Sequence, residues 1–398
     1  MLHPIIIYIW TLIQIVIGYN LILPLIFFFF YLPIHLIKKK HTAFRSIPEN
    51  DYAIIVTAYQ QTSLIPEVID SILKLNYGNF LVYIVADNCD ISDLKFSDER
   101  VILLRPETII ASNTGSHFYA ISHFKRDHKL LTIIDSDNLV HNDYLVELDY
   151  YFSLGFQAVQ GYRKAKNLGS SYAALDAARD IYYHFYDGKI LFGLQSSATL
   201  SGSGMAFTTE LYKDCFKNTE IKGAGFDKAL QYEIVKRGLR IAFAENAIVY
   251  DEKTSQPEQL VKQRSRWINS WFKYFSNGFK LIKKGIIHKN INQLLFGIVL
   301  LRPPLFIFLI LSLICLIINI AIDPFTAFIW LIAFICFVWG FGISIVHKNT
   351  DPLIYRSLVN IPKFIFYQII SLLKIRSADK ISVATEHSHK KKLDDLVN

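Results

Sequence analysis

The chain has 398 residues, 52% of them hydrophobic, and a mean hydropathy of +0.29. That is too apolar for an ordinary soluble enzyme and points to membrane spans. The formal net charge is +8, with a pI of about 9.0. The basic residues cluster near the predicted membrane boundaries and no nucleic-acid motif is present, so the charge suits anionic lipid headgroups and excludes a nucleic-acid partner.

The first apolar segment covers residues 4–37 and contains no Lys or Arg. It exceeds the roughly twenty residues that one span needs. Pro24 and Pro33 are expected to kink it, or to lay its end along the interface. It has neither a basic n-region nor a small-residue cleavage site, so a span is a better reading than a signal peptide. Residues 304–322 and 325–346 form two more candidate spans, with Asp323 and Pro324 as a tight turn between them. Lys38, Lys39, Lys40 and Arg45 follow the first span, Arg302 precedes the second, and Lys348 follows the third. The positive-inside rule then places the N-terminus and the Asp323-Pro324 turn outside, and the central region and tail in the cytoplasm. Cys89, Cys215, Cys315 and Cys336 show no pairing or metal spacing, which fits a reducing compartment.

Residues 42–289 have the size of one α/β domain. Residues 52–56 read as a strand, broken by 57–61, and 64–74 carry apolar residues at helical spacing. Residues 80–86 and 101–104 read as strands, 115–124 as a helix and 129–134 as a strand. This alternation predicts a mostly parallel sheet. Thr57, Asp87 and Asp135 fall where strands end, which is where doubly wound sheets hold nucleotides.

Acidic residues carry the chemistry. Asp135 and Asp137 stand two apart at a strand end. Carboxylates this close resist joint ionisation, and a divalent cation removes that cost. Oxygen sites of this kind suit Mg²⁺ or Mn²⁺ and often include substrate phosphates. The alternative is a solvated Asp-rich turn. Asp87 offers acceptors to a base or ribose, or it forms an Asx turn. Asp227 closes Gly223-Ala224-Gly225-Phe226-Asp227, ahead of a helix expected over 229–238, where an N-cap is the alternative role.

Residues 259–287 are basic and aromatic at helical spacing and read as an interfacial helix, or else as a core helix. Gln263, Arg266 and Trp267 share one face at i, i+3 and i+4. Arg can grip a diphosphate and Trp can stack on a sugar, unless both belong to a membrane-facing belt. Residues 352–375 are apolar but contain Arg356 and Lys363, so they read as interfacial or re-entrant. The expected organisation is an N-terminal transmembrane segment at 1–41, a cytoplasmic domain at 42–258, interfacial helices at 259–303, a transmembrane hairpin at 304–347, and an interfacial segment with a cytoplasmic tail at 348–398.

Taken in order, Asp87, Asp135-Ser136-Asp137, Asp227 and Gln263-Arg264-Ser265-Arg266-Trp267 resemble the membrane-bound glycosyltransferase family 2, which includes cellulose-, chitin- and hyaluronan-synthase-like enzymes. Residues 56–59, 86–89, 160–167, 201–205, 245–252 and Ala384-Thr385-Glu386-His387 extend the resemblance over nearly the whole chain. It implies a GT-A-like α/β nucleotide-sugar-binding domain with a mostly parallel sheet, about three transmembrane α-helices, and interfacial helices.

The resemblance also implies roles. Asp87 should meet the nucleobase, with Thr57 and Tyr59 lining the pocket. Asp135 should lie near the ribose and the metal, and Asp137 should bind Mg²⁺ or Mn²⁺. Gly202, Ser203 and Gly204 should form a loop under the acceptor, Asp227 should be the general base, and Gln263, Arg266 and Trp267 should cover the donor diphosphate and the acceptor entrance. Phe226 stands where the family usually has Glu, and Asn113-Thr114-Gly115 where it often has Asn-Lys-Gly.

The expected activity is inverting, metal-dependent transfer from a nucleotide-sugar, a UDP-sugar in the simplest case, to a polysaccharide or a membrane lipid. Membrane lipids are expected partners, and the few spans leave room for a homo-oligomer or an export partner. The alternatives are transfer of a single sugar to a polyprenyl phosphate or other lipid, and a non-catalytic membrane scaffold.

Overall fold

The computed structural model describes residues 4–37, 49–217, 224–348, 350–375 and 391–397. Lys38, Lys39, Lys40, Arg45, Gly223 and the run Ala384-Thr385-Glu386-His387 lie outside the described residues.

The chain opens with α1 (Pro4–Ile37), with Pro24 and Pro33 inside the helix. The first half of the sheet domain is β1 (Tyr52–Tyr59), α2 (Ile65–Leu73), β2 (Phe80–Asp87), β3 (Val101–Leu104), α3 (Asn113–Ser122) and β4 (Leu130–Asp135). It continues through β5 (Leu139–Val140), α4 (Tyr144–Ser153), β6 (Ala158–Ala165) and α5 (Ser171–Tyr183). A wide π-helical segment, His184–Ile190, extends α5 into the short α6 (Leu191–Gly193). Next come β7 (Met205–Thr208), α7 (Thr209–Phe216), α8 (Phe226–Lys236) and β8 (Ile241–Asp251). The remainder is helical: α9 (Pro257–Tyr274), α10 (Asn277–Ile287), α11 (Ile291–Leu301), α12 (Leu305–Ile322), α13 (Pro324–Val346), α14 (Pro352–Ser357) and α15 (Ile361–Leu373).

Eight strands form one sheet in the order β3-β2-β1-β4-β7-β6-β8-β5. The β1–β2, β1–β4, β2–β3 and β6–β8 pairs are parallel, whereas β7 runs antiparallel to both its neighbours and β5 to β8. The sheet is therefore mixed and mostly parallel. Apolar runs such as 52–56 and 80–86 are buried on both faces, because one core lies on each side of the sheet. Local chemistry sets the helix starts. Ser112 accepts from the Gly115 amide at 3.2 Å, Ser170 from Ala173 at 3.2 Å, and Asp323 from Phe325 at 3.1 Å.

Three helices, α1, α12 and α13, are long and apolar enough to cross a membrane. Three sequence expectations need correction. Strand β1 does not break at Thr57 but runs on to Tyr59, because β4 pairs with it as far as Thr57 and β2 as far as Tyr59. Helix α8 starts at Phe226, three residues before the expected start, because the left-handed Gly225 (φ 95°) turns the chain directly into it. The basic aromatic stretch is two helices, α9 and α10, separated at Phe275–Ser276.

Candidate active site

The site is built first by strand register. Tyr59 pairs with Asp87, and Thr57 pairs with Asp135. Neighbouring strands lie about 4.8 Å apart, so these four residues share the carboxyl edge where β1 separates β2 from β4. That edge is the crevice in which open α/β sheets bind ligands. Its backbone is strained. Gln60, Asn88 and Ala111 all have positive φ, at 61°, 53° and 48°. Strain of this kind collects at functional sites.

Asp87 is buried, and both its oxygens are engaged. Oδ1 accepts from the Ile110 amide at 3.0 Å and Oδ2 from the Ala111 amide at 2.7 Å. The carboxylate thus fixes the loop that leads into α3. A carboxylate has about four acceptor positions, so it retains capacity toward a ligand.

The Asp135–Asp137 turn is clamped from two sides. Ser203 Oγ accepts from the Asp135 amide at 3.1 Å. In the amide orientation that satisfies both its neighbours, Asn138 donates to the Asp137 carboxylate at 3.1 and 3.3 Å and accepts from Ser203 Oγ at 2.8 Å. Lys166 Nζ donates to the Asp137 carbonyl at 2.8 Å and pairs with Glu252 at 3.4 Å.

The 201–204 loop lies beside this turn. Gln160 holds it by donating to the Ser203 carbonyl at 3.1 Å and accepting from the Ser201 amide at 3.0 Å. Gly202 has φ 91°, and a Cβ there would meet nothing within 4 Å. The loop tip therefore faces open space in a backbone shape that glycine adopts freely.

Asp227 reaches the same loop through its neighbour. Lys228 Nζ lies 3.4 Å from the Asp227 carboxylate and donates to the Leu200 carbonyl at 3.0 Å. Asp227 sits in the first turn of α8, and the N-cap is Gly225, so a capping role for Asp227 is ruled out. Helix α9 closes on the Gly225 turn, since a Cβ there would meet Ser270 Oγ at 2.9 Å. Thr254 Oγ1 donates to Gln263 Oε1 at 3.2 Å and ties α9 to the end of β8. Arg266 is half-buried, and burial lowers its pKa from the usual value. Trp267 is 36% exposed and lies under two guanidinium groups, Arg264 at 4.1 Å and Arg179 at 4.7 Å from the ring centre.

Sequence reasoning missed the ionic network beneath α9. Arg264 pairs with the buried Asp176. Arg179 bridges Asp176 and Asp180 at 3.2 and 2.5 Å, and Lys253 joins Asp180 to Asp251. Arg163 lies 2.6 Å from Asp251 and donates to the Ser201 carbonyl at 2.5 Å. Burial opposes ionisation of Asp251, but Arg163 and Lys253 outweigh it and hold the carboxyl at about 2. One signal was available in the sequence: Asp176, Arg179 and Asp180 share a face of an otherwise apolar helix.

Among the described residues, no group of three or more His, Cys, Asp or Glu side chains is placed to hold a metal ion. Asp135 and Asp137 offer two carboxylates at one turn. That donor set fits a hard cation whose remaining ligands are phosphate oxygens and water.

Residues 48–270 match the family model described as Glycosyltransferase like family 2. The chain belongs to that family. Its GT-A fold also appears in the Pyrobaculum calidifontis mannosyltransferase PcManGT, solved with GDP-Man and Mn²⁺, at 14% identity and TM-score 0.53, covering 93% of this chain and 100% of the other. S. aureus TarS 1-349, solved with UDP-GlcNAc, aligns at 15% identity and TM-score 0.41, covering 83% of this chain and 92% of that one. No curated protein matches by sequence. This glycosyltransferase family 2 chain thus joins a GT-A domain to three helices capable of spanning a membrane.

Proposed function

We propose that the chain transfers a sugar from a nucleoside diphosphate-sugar to a polysaccharide or membrane-lipid acceptor, with inversion at the anomeric carbon. One observation carries this reading. Tyr59 pairs with Asp87 and Thr57 with Asp135 on one edge of the sheet, Ser203 holds the Asp135 turn, and Lys228 bridges Asp227 to the carbonyl of Leu200, three residues before Ser203.

A sugar hydroxyl is a weak nucleophile at neutral pH. The half-buried Asp227 carboxylate is the base that takes its proton as the new bond forms. Lys228 Nζ, 3.4 Å from that carboxylate, fixes its position. Asp87 with Thr57 and Tyr59 orients the nucleoside, and Gly202, Ser203 and Gly204 support the acceptor. Gln263 and Arg266 stabilise the charge that develops on the departing diphosphate, and Trp267 closes the acceptor entrance. Mg²⁺ or Mn²⁺, held by Asp135 and Asp137, supplies Lewis-acid stabilisation of that same charge. The Mn²⁺ in the PcManGT structure supports a divalent ion here. Its GDP-Man, and the UDP-GlcNAc of the TarS structure, support a nucleotide-sugar donor.

On this reading the GT-A domain (42–258) and the α9–α11 helices (259–303) lie on the cytoplasmic side. Residues 1–41 and 304–347 cross the bilayer, with the N-terminus outside, and 348–398 return to the cytoplasmic face. The positive-inside distribution of Lys and Arg supports this orientation.

The test is Asp227→Asn in the full chain. Donor affinity, measured by calorimetry across UDP- and GDP-sugars with Mn²⁺, should persist while transfer is lost. Retained transfer would refute the base assignment. A ladder of radiolabelled products from the native chain marks a polysaccharide acceptor, and one lipid-linked sugar marks a lipid acceptor.

A further inference from the structure

Where α1 and α13 meet the sheet domain, they frame a groove of about 720 Å³. That volume falls within the roughly 300–1,000 Å³ of small-ligand sites. Its outer walls are apolar and include Phe28, Leu32, Val338 and Trp339. Its inner end is ionic. Lys189 lies 3.0 Å, and His347 and Lys348 each 3.3 Å, from the single carboxylate of Glu245. Lys189 Nζ also lies 2.7 Å from His347 Nε2, and the two lysines facing one acid leave a positive balance at the end of an apolar channel.

Two features show a cavity kept open. Gly342 lines the groove, and a Cβ placed there would meet nothing within 4 Å. A glycine inside a helix costs stability relative to alanine, yet here it leaves a notch in α13. Lys189 sits in the π-helical segment His184–Ile190, a form rare outside functional sites.

The groove is separate from the transfer site. Glu245 precedes Asp251 by six residues on β8, about 20 Å of strand. The far end of β8 leads to Glu252, whose partner Lys166 bonds the Asp137 carbonyl.

We infer that this groove holds one anionic diacyl phospholipid, its phosphate against Lys189 and His347 and an acyl chain along Phe28, Leu32 and Trp339. The charge balance selects an anionic headgroup over a zwitterionic one. The inference rests on reading α1, α12 and α13 as membrane spans, and it needs no sugar transfer.

The full-length chain in detergent micelles doped with equal dioleoyl-phosphatidylglycerol and dioleoyl-phosphatidylcholine provides the test, with bound lipid counted by native mass spectrometry. Phosphatidylglycerol should be retained preferentially, at one molecule per chain. Lys189→Gln should weaken it about fivefold, the value of one positive charge near a phosphate. Gly342→Phe fills the notch, keeps every charge, and should abolish retention with an unchanged melting temperature. Lys280→Gln, on the distant α10, should change nothing. Equal retention of the two lipids, or retention unaffected by both groove variants, overturns the inference. Displacement by millimolar inorganic phosphate also overturns it, since that marks a free-anion site. No donor is present, so the outcome is independent of the transfer assignment.

Discussion

Phe226 packs against the imidazole of His117, with ring centroids 5.3 Å apart and planes inclined at 64°. Both side chains are buried, and His117 Nδ1 lies 2.7 Å from the Tyr212 hydroxyl. The residue before the proposed base thus belongs to the core, where the resemblance led to the expectation of a carboxylate. Phe226→Glu places a charge against a neutral imidazole and apolar neighbours. It should cost on the order of 3 kcal/mol or more. Thermal unfolding reads the loss, and activity per folded molecule should not rise.

Burial also fixes the acid limit of the fold. It lowers His117 to about 3. It is likewise the main cause that lowers His184 to about 3, opposed by Asp180 and aided by Arg163, Lys253 and Lys348. In the unfolded chain both rings titrate near 6.5. Between pH 6.5 and 3 the unfolded chain therefore binds protons that the folded chain refuses, and stability falls as pH falls. Each ring contributes about 1.4 kcal/mol per pH unit in that window. Melting temperatures from pH 7 to 5 should fall more gently for His117→Gln and His184→Gln than for the native chain. Equal slopes would contradict the assignment.

Gly225 joins the base helix to α9. Its φ of 95° strains any other residue, and a Cβ would press on Ser270 Oγ at 2.9 Å and on the Tyr274 ring at 3.0 Å. Gly225→Ala should cost about 1–2 kcal/mol for the backbone alone. The larger effect should fall on turnover. A shift of about 1 Å between α9 and Asp227 would separate the proposed base from the residues proposed to cover the diphosphate and should lower kcat roughly tenfold to a hundredfold. Steady-state kinetics on the folded fraction measure this, and an unchanged kcat would show that α9 does not position the site.

Much of this architecture was legible in the sequence. Residues 4–37, 304–322 and 325–346 mark the three long apolar helices to within one residue, because their hydrophobicity is local. Strands 80–86 and 129–134 were legible because their mostly apolar runs are buried on both faces, and 101–104 because its four residues are all apolar, although at the sheet edge they are only half-buried. Thr57 and Tyr59 misled because polar side chains at a strand end look like a break, and only pairing with Asp135 and Asp87 reveals the strand. The two-residue β5 and the antiparallel β7 carry too little pattern to be read alone. The ionic network was invisible for another reason. Arg264 and Asp176 are 88 residues apart, and no local period predicts their meeting.

That pair yields the last prediction. Arg264, the second residue of Gln263-Arg264-Ser265-Arg266-Trp267, is buried with Asp176. Its guanidinium also lies 4.1 Å from the Trp267 ring centre. One buried ion pair therefore holds the helix that presents Gln263, Arg266 and Trp267 to the site. Asp176→Asn removes the counter-charge and leaves Arg264 in a low-dielectric interior, where breaking such a pair costs about 3–5 kcal/mol. Trp267→Phe keeps a ring under the guanidinium and should leave the melting temperature within about 1 kcal/mol of the native value, the usual worth of a cation–π contact. The two variants should therefore separate. Asp176→Asn should lower thermal stability sharply, whereas Trp267→Phe should alter acceptor KM with stability nearly intact. Were Asp176→Asn as stable as the native chain, α9 would be anchored by its apolar contacts with α15 and α5 instead.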